Sequence, residues 1–111
     1  MPEQSELSAE DRKLVTLARA TRARTGAAEG AAVRDLDGRT YAAATVDLPS
    51  LQVSAVGVCV SMAVASGAKG LEAVVVLGES ETASVNDLAI VKEFAGEDVP
   101  VLVGDARGNL R

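Results

Sequence analysis

Apolar positions recur along this chain with helical, alternating and continuous patterns, and each predicts a kind of element. Leu14, Leu17, Ala18 and Thr21 fall at helical spacing, with Ser8 placed to cap and Glu10 and Asp11 in the first turn. They predict a helix over residues 9–24, ended by Thr25-Gly26. Gly30 to Asp35 reads as a strand, Asp37-Gly38 as a tight hairpin turn, and Thr40 to Val46 as the returning strand. Pro49 and Ser50 are start signals for a second helix through Ser66, with Gly67 as its stop. On that helix Val53, Val56, Gly57, Val60 and Val64 share one face, while Val58, Cys59 and Met62 lie on others. Ala73 to Leu77 is an unbroken apolar run, which predicts a central strand covered on both faces. After a loop at residues 78–82, Leu88, Val91 and Ala95 mark one face of a helix over 85–95. Gly96 ends it, and Val99 to Val103 is the last strand.

The order α-β-β-α-β-α-β predicts an α/β fold, a mixed sheet with helices packed on its faces. Residues 1–8 read as a mobile lead-in, 9–104 as a single domain and 105–111 as a frayed tail. The length of 111 residues suits one domain with a modest core. Only Tyr41 and Phe94 are aromatic, so that core is built from Ala, Val and Leu. Such a core buries less per residue than an aromatic-rich one, which favours support from a subunit partner.

Charge narrows the function classes. The net charge is −5, and the basic residues of the first helix follow its acids as the helix dipole favours. No basic loop or aromatic cluster accompanies them, which argues against a nucleic-acid interface. Cys59 is the one cysteine and histidine is absent, as suits a reducing cytoplasm. The polar, acidic start argues against a secretory signal. Leu48 to Ala68 carries no charge and is long enough to span a bilayer, but Pro49, Gln52 and four serines favour a helix buried in protein. Cys59, between Val58 and Val60, reads as a buried inert thiol rather than a redox handle.

Several short stretches, in this order, resemble the small homotetrameric-type cytidine deaminases. They are Gly30-Ala31-Ala32, Asp37-Gly38, Tyr41, Thr45-Val46-Asp47 in place of Asn-Val-Glu, Leu51-Gln52-Val53-Ser54-Ala55-Val56 in place of Leu-Thr-Val-Cys-Ala-Glu, and Glu93-Phe94-Ala95. The resemblance covers roughly residues 9 to 104 and implies a cytidine deaminase-like three-layer α-β-α fold. It also implies a site. In that family three thiolates hold zinc, the zinc acidifies a water, and a glutamate moves protons. The first cysteine falls on Ser54, the glutamate on Val56, and the Pro-Cys-Gly-x-Cys motif on Ala83-Ser84-Val85-Asn86-Asp87. The Arg-Gln that follows there is Leu88-Ala89 here.

The site is therefore degenerate at Ser54, Val56, Ser84 and Asp87. Neutral hydroxyls and one carboxylate are a poor exchange for sulfur, and valine has no proton to give. The expectation is no metal, no cofactor and no catalytic residue: an inactive, cytidine deaminase-like binding or scaffolding protein. The alternative is a cytidine deaminase or related hydrolase with an unconventional site. A serine nucleophile there needs a base, however, and Lys69 lies at the far end of the helix from Ser54. The resemblance also implies that the ligand motifs sit at converging helix N-termini, where Ser54 and Ser84 would be ordinary caps. A small anion is the sharper reading of that spot, and Asp87 argues against it. Thr45 and Asp47 match positions that hold sugar hydroxyls, so residual nucleoside binding stays open. The resemblance places the second helix at subunit contacts. With its apolar circumference, this predicts a homo-oligomer, dimer or tetramer, with Val58, Cys59 and Met62 near the interface.

Overall fold

A computed structural model describes residues 7–111. The predicted mobile lead-in falls mostly on residues 1–6, which lie outside the described residues. Leu7 is buried and Ser8 is a cap. The helix α1 (Ala9–Thr25) starts where the Ser8 hydroxyl accepts the Asp11 N–H at 3.1 Å, and Gly26 closes it in the left-handed region. Strand β1 (Gly30–Asp35) turns through Asp37-Gly38 into β2 (Thr40–Ala44) as the sequence predicts. The buried Asp35 carboxylate organises this turn. It accepts the N–H groups of Asp37 and Arg39 at 2.9 and 3.0 Å and the Tyr41 hydroxyl at 2.8 Å.

Beyond β2 the chain departs from the pattern. Pro49 and Ser50 form the turn of a small hairpin, β3 (Val46–Leu48) with β4 (Leu51–Val53), rather than opening a helix. The second helix, α2 (Ala55–Ala65), starts only after Ser54. An uncharged run offers no polar switch to mark such a boundary, and proline suits a turn as well as a first helical position. Then follow β5 (Leu71–Leu77), α3 (Val85–Ala95) and β6 (Val101–Gly104).

The main sheet has the order β2-β1-β5-β6, with β1 antiparallel to both neighbours and β5 parallel to β6. Alternate residues of the central strands feed two separate cores. On one face Ala32, Ala73, Val75 and Leu77 pack under Leu14, Val15 and Ala18 of α1. On the other, Ala31, Val33, Val74 and Val76 meet α2 and α3. The protein is thus a three-layer α/β fold, α1 on one side of a mixed sheet and α2 with α3 on the other.

The inward faces of the last two helices differ from the expected ones. Val56, Cys59, Val60 and Ala63 form the buried stripe of α2, while Val64 is 53% exposed. Cys59 is sealed inside the chain's own core, the buried thiol that its apolar neighbours predict and not a surface residue near an interface, its sulfur directed at the Tyr41 carbonyl at 3.6 Å. Val58 and Met62 are half-buried at the edge of that core. On α3 the buried residues are Asp87 and Val91, flanked by half-buried Ile90 and Phe94, and Leu88 faces out. A helix apolar all round does not announce which side it will bury.

The tail expected to fray folds back. Asp105 accepts the Arg107 and Asn109 N–H groups at 2.9 and 3.0 Å, Leu110 bridges to Gly104, and Arg111 Nη1 donates to the Gly78 and Ser80 carbonyls. Among the described residues no helix is long and apolar enough to cross a membrane.

Three outcomes follow from this packing. A methyl group on Gly30 would lie 2.3 Å from the Ala18 carbonyl oxygen of α1. Gly30→Ala should therefore cost about 1–3 kcal/mol in urea unfolding, by forcing α1 away from the sheet. Burial pushes the Cys59 thiol up to about 12. Native protein should accordingly resist Ellman's reagent at pH 8 and react fully once unfolded. At Asp35, burial favours the neutral acid, but the Tyr41 phenol and the Arg39 and Asp37 N–H groups outweigh it and hold the carboxyl below its usual range. A depressed folded pKa gives stability that is full above the unfolded carboxylate value and lost as pH falls through the folded one. Tyr41→Phe should lower Tm at neutral pH and flatten that acid-side loss in a pH series of melts.

Candidate functional site

The N-termini of α2 and α3 meet, and each is built the same way. Ser54 and Ser84 are caps in extended conformation, and their hydroxyls accept the Gly57 and Asp87 N–H groups, each at 3.0 Å. Serine wins these positions because its short side chain reaches an orphan amide at the third helical residue. Gly57 is close to its cap as well. A Cβ there would lie 3.0 Å from both Ser54 Oγ and Val53 Cγ1.

What joins the two ends is a side-chain contact 33 residues long in sequence. The Ser54 hydroxyl donates to Asp87 Oδ1 at 2.6 Å. Asp87 is only 3% exposed while Ser54 is half-buried, so this is a partly buried, charge-assisted hydrogen bond. Bonds of this kind are worth about 1.5–3 kcal/mol net. The carboxylate stands in the first turn of α3 and against the cap of α2, where the positive ends of both helix dipoles favour it.

Ser54, Ser84 and Asp87, which the resemblance brings to one zinc site, are thus in one place. As donors they do not fit that metal. Both hydroxyls are engaged as caps, Ser54 is also bound to Asp87, and the set supplies a single anionic oxygen donor and no sulfur. Among the described residues, no group of three His, Cys, Asp or Glu side chains is placed to hold a metal ion. Val56, at the glutamate's position, is wholly buried in the core with Cys59 and Val60.

Beside this junction lies an open pocket of about 450 Å³, lined by Arg22, Glu29, Thr45, Ser54, Glu79 and Ser80. Thr45 sits where β2 ends, its hydroxyl accepting the Glu29 N–H at 3.1 Å and its own N–H donating to the Glu29 carbonyl. Burial, and then the nearby charge of Asp87, push the Glu29 carboxyl above its usual range. Arg22 Nε donates to the Ala28 carbonyl at 3.3 Å on the same rim. Asp47, expected beside Thr45 at the site, is exposed on β3 opposite Gln52 and does not line the pocket. Arg22, Glu29, Glu79 and Ser80 carried no sequence signal, because they come from a helix end and loops without any period.

A second hollow, apolar and about 490 Å³, lies on the outer side of α2. It is lined by Val53, Gly57, Val60, Ser61, Val64 and Ile90. Of its lining, Val64 of α2 is 53% exposed, while Val60 belongs to the buried stripe.

Comparisons with known proteins agree with this architecture. Cytidine deaminase from Burkholderia pseudomallei superposes with a TM-score of 0.80 at 20% identity, covering 95% of this chain and 91% of that one. Cytidine deaminase from Mycobacterium leprae gives 0.72 at 21% identity, over 94% and 93% of the two chains. The Mycobacterium tuberculosis enzyme gives 0.71 at 21% identity, over 86% and 85%. At such identities the likeness is one of fold. Comparison with curated protein sequences gave no significant match. The model of the cytidine deaminase-like family matches residues 7–108, nearly the whole chain, and on that match this protein belongs to the cytidine deaminase-like family.

Proposed function

We propose that this chain is a catalytically inactive member of its family that works as a self-associating binding module. The observation that carries the reading is the closed junction: Ser54 bound to Asp87 at 2.6 Å, with Val56 sunk in the core. Metal-assisted deamination needs soft ligands to hold the ion and a group to move the proton. Here the ligand positions hold two capping hydroxyls and one tied carboxylate, and the proton carrier is replaced by a hydrocarbon.

The pocket beside Ser54 supports binding over a purely structural role, because Val56 is packed in the core and does not line or fill it. Its hydroxyls and its carboxylates at Glu29 and Glu79 suit a neutral, hydrogen-bonding small molecule such as a nucleoside. They disfavour the small anion, since Asp87 already supplies negative charge at the helix ends. Self-association is supported by the apolar hollow along α2, on a helix with no charged residue. A hydrolase built on Ser54 is the second reading, favoured by its contact with both the pocket and Asp87. Its weakness is the base. A carboxylate at ordinary pH is a poor acceptor for a serine proton, and the hydroxyl is also held as a cap.

Elemental analysis of purified untagged protein, a cytidine turnover assay and light scattering test this together. The expected result is no stoichiometric zinc, no uridine, and a mass at micromolar concentration that is a multiple of the 11.3 kDa chain. Bound zinc with uridine production would overturn the inactive reading. A clean monomer would end the proposal of self-association.

A further inference from the structure

The same three residues that cannot hold the metal raise a different question: what fixes α3 in its place. Its apolar anchorage rests on Val91, its one fully buried apolar residue, with half-buried Ile90, Phe94 and Ala95 packed on the same core, while Val85 is 85% exposed and Leu88 is 45% exposed. The other buried residue is charged, Asp87, and its partner is the cap of another helix. Isolated helices of eleven residues do not persist in water, so α3 depends on its docking contacts.

The serine-capped helix α1 offers an internal comparison. There the third helical residue is again an aspartate, Asp11, and again it reaches outward, pairing with Arg34 of β1 at 3.0 Å. Arg34 is also held by Glu72 of β5 at 2.8 Å, so α1 is tied to the sheet by charge as well as by Leu14, Val15 and Ala18. On α3 the equivalent aspartate reaches another helix instead of the sheet, beside an apolar face of Val91, Ile90, Phe94 and Ala95.

From this we infer that the Ser54–Asp87 hydrogen bond is a metal-free cross-link that docks α3 on α2, at positions that the resemblance assigns to zinc ligands. Asp87 acts here as a positioning residue. Its oxygen satisfies the cap of one helix while its own amide is held by the cap of the other, so the two N-termini are fixed to each other through one side chain. The inference does not rest on the absence of turnover, and its test reads structure rather than activity.

The experiment is a double-mutant cycle on the full chain, Ser54→Ala, Asp87→Ala and the double variant, read by urea unfolding and by hydrogen exchange, with and without a zinc chelator. The expected coupling is tenfold or more in the unfolding equilibrium constant, with the double variant less impaired than the sum of the singles. Ser54→Ala should also speed amide exchange throughout residues 85–95, although the change is at the start of α2, while β1 and β5 stay protected. Chelator should change nothing in the wild type. Additive single effects, or unaltered exchange over 85–95 in Ser54→Ala, would overturn the cross-link. So would a chelator-induced loss of stability. Should Asp87→Ala fail to fold, Ser54→Ala and Asp87→Asn still test the cross-link. Exchange over 85–95 must then rise in Ser54→Ala and rise less in the isosteric Asp87→Asn, and the reverse order would overturn it.

Discussion

One constraint organises the functional end of this molecule: two helix N-termini are brought together, and their amides and dipoles demand negative charge. Asp87 meets that demand. Its carboxylate, 2.6 Å from the Ser54 hydroxyl, lies where the positive ends of α2 and α3 converge. A divalent cation at the same spot would work against both dipoles unless surrounded by anionic ligands, such as the three thiolates that the resemblance implies. Replacing sulfur with two serines and one aspartate leaves a different consistent set. The serines cap, the aspartate supplies the charge, and no cation is needed for balance.

The rest of the fold supports that junction through small residues. Gly30 lets α1 pass so close to β1 that a methyl group would meet a carbonyl oxygen at 2.3 Å. Ala31, Ala32, Ala43, Ala55 and Ala63 keep the layers near one another in the same way. Close approach makes up for the lack of aromatic bulk, since dispersion depends on contact rather than on residue size. The cost is a core with little depth to spare, and Val64, Leu48 and Leu51 remain on the outside. A thin monomer with an uncharged outer helix is the physical basis for the proposed self-association.

Much of this was legible in the chain itself. Helix α1 showed its cap, period and glycine stop, helix α3 its extent and glycine stop but not its buried face, and Asp37-Gly38 marked the hairpin. The unbroken run at Ala73 to Leu77 gave away a strand covered on both faces. The start of α2 did not show, because nothing polar interrupts Leu51 to Val60 except Gln52 and Ser54, and Pro49 read equally well as a first helical turn. Nor did the buried face of α2, which put Cys59 on the wrong side. Resemblance named Ser54, Ser84 and Asp87 together, but no spacing rule links a hydroxyl to a carboxylate 33 residues away. The pocket residues Glu29 and Glu79 were invisible for the same reason: loops have no period to read.

Fold and metal-ligand chemistry make separate demands on the residues of this protein, for a physical cause. What the family fold supplies is backbone: two helix ends aimed at one point beside a pocket, positioned by a sheet and by caps. Backbone geometry survives exchange of the side chains as long as the orphan amides stay satisfied and the local charge stays favourable. Ser54, Ser84 and Asp87 meet both conditions, so the architecture tolerates them. Metal chemistry makes a narrower demand, for donors soft enough to hold zinc and for an ionisable side chain beside it. Val56 shows how independent the two are, because a valine at that position packs into the core without disturbing the cap next to it. A TM-score of 0.80 and a closed junction are therefore compatible, since the first reports on the caps and the sheet and the second on the atoms that the caps leave over.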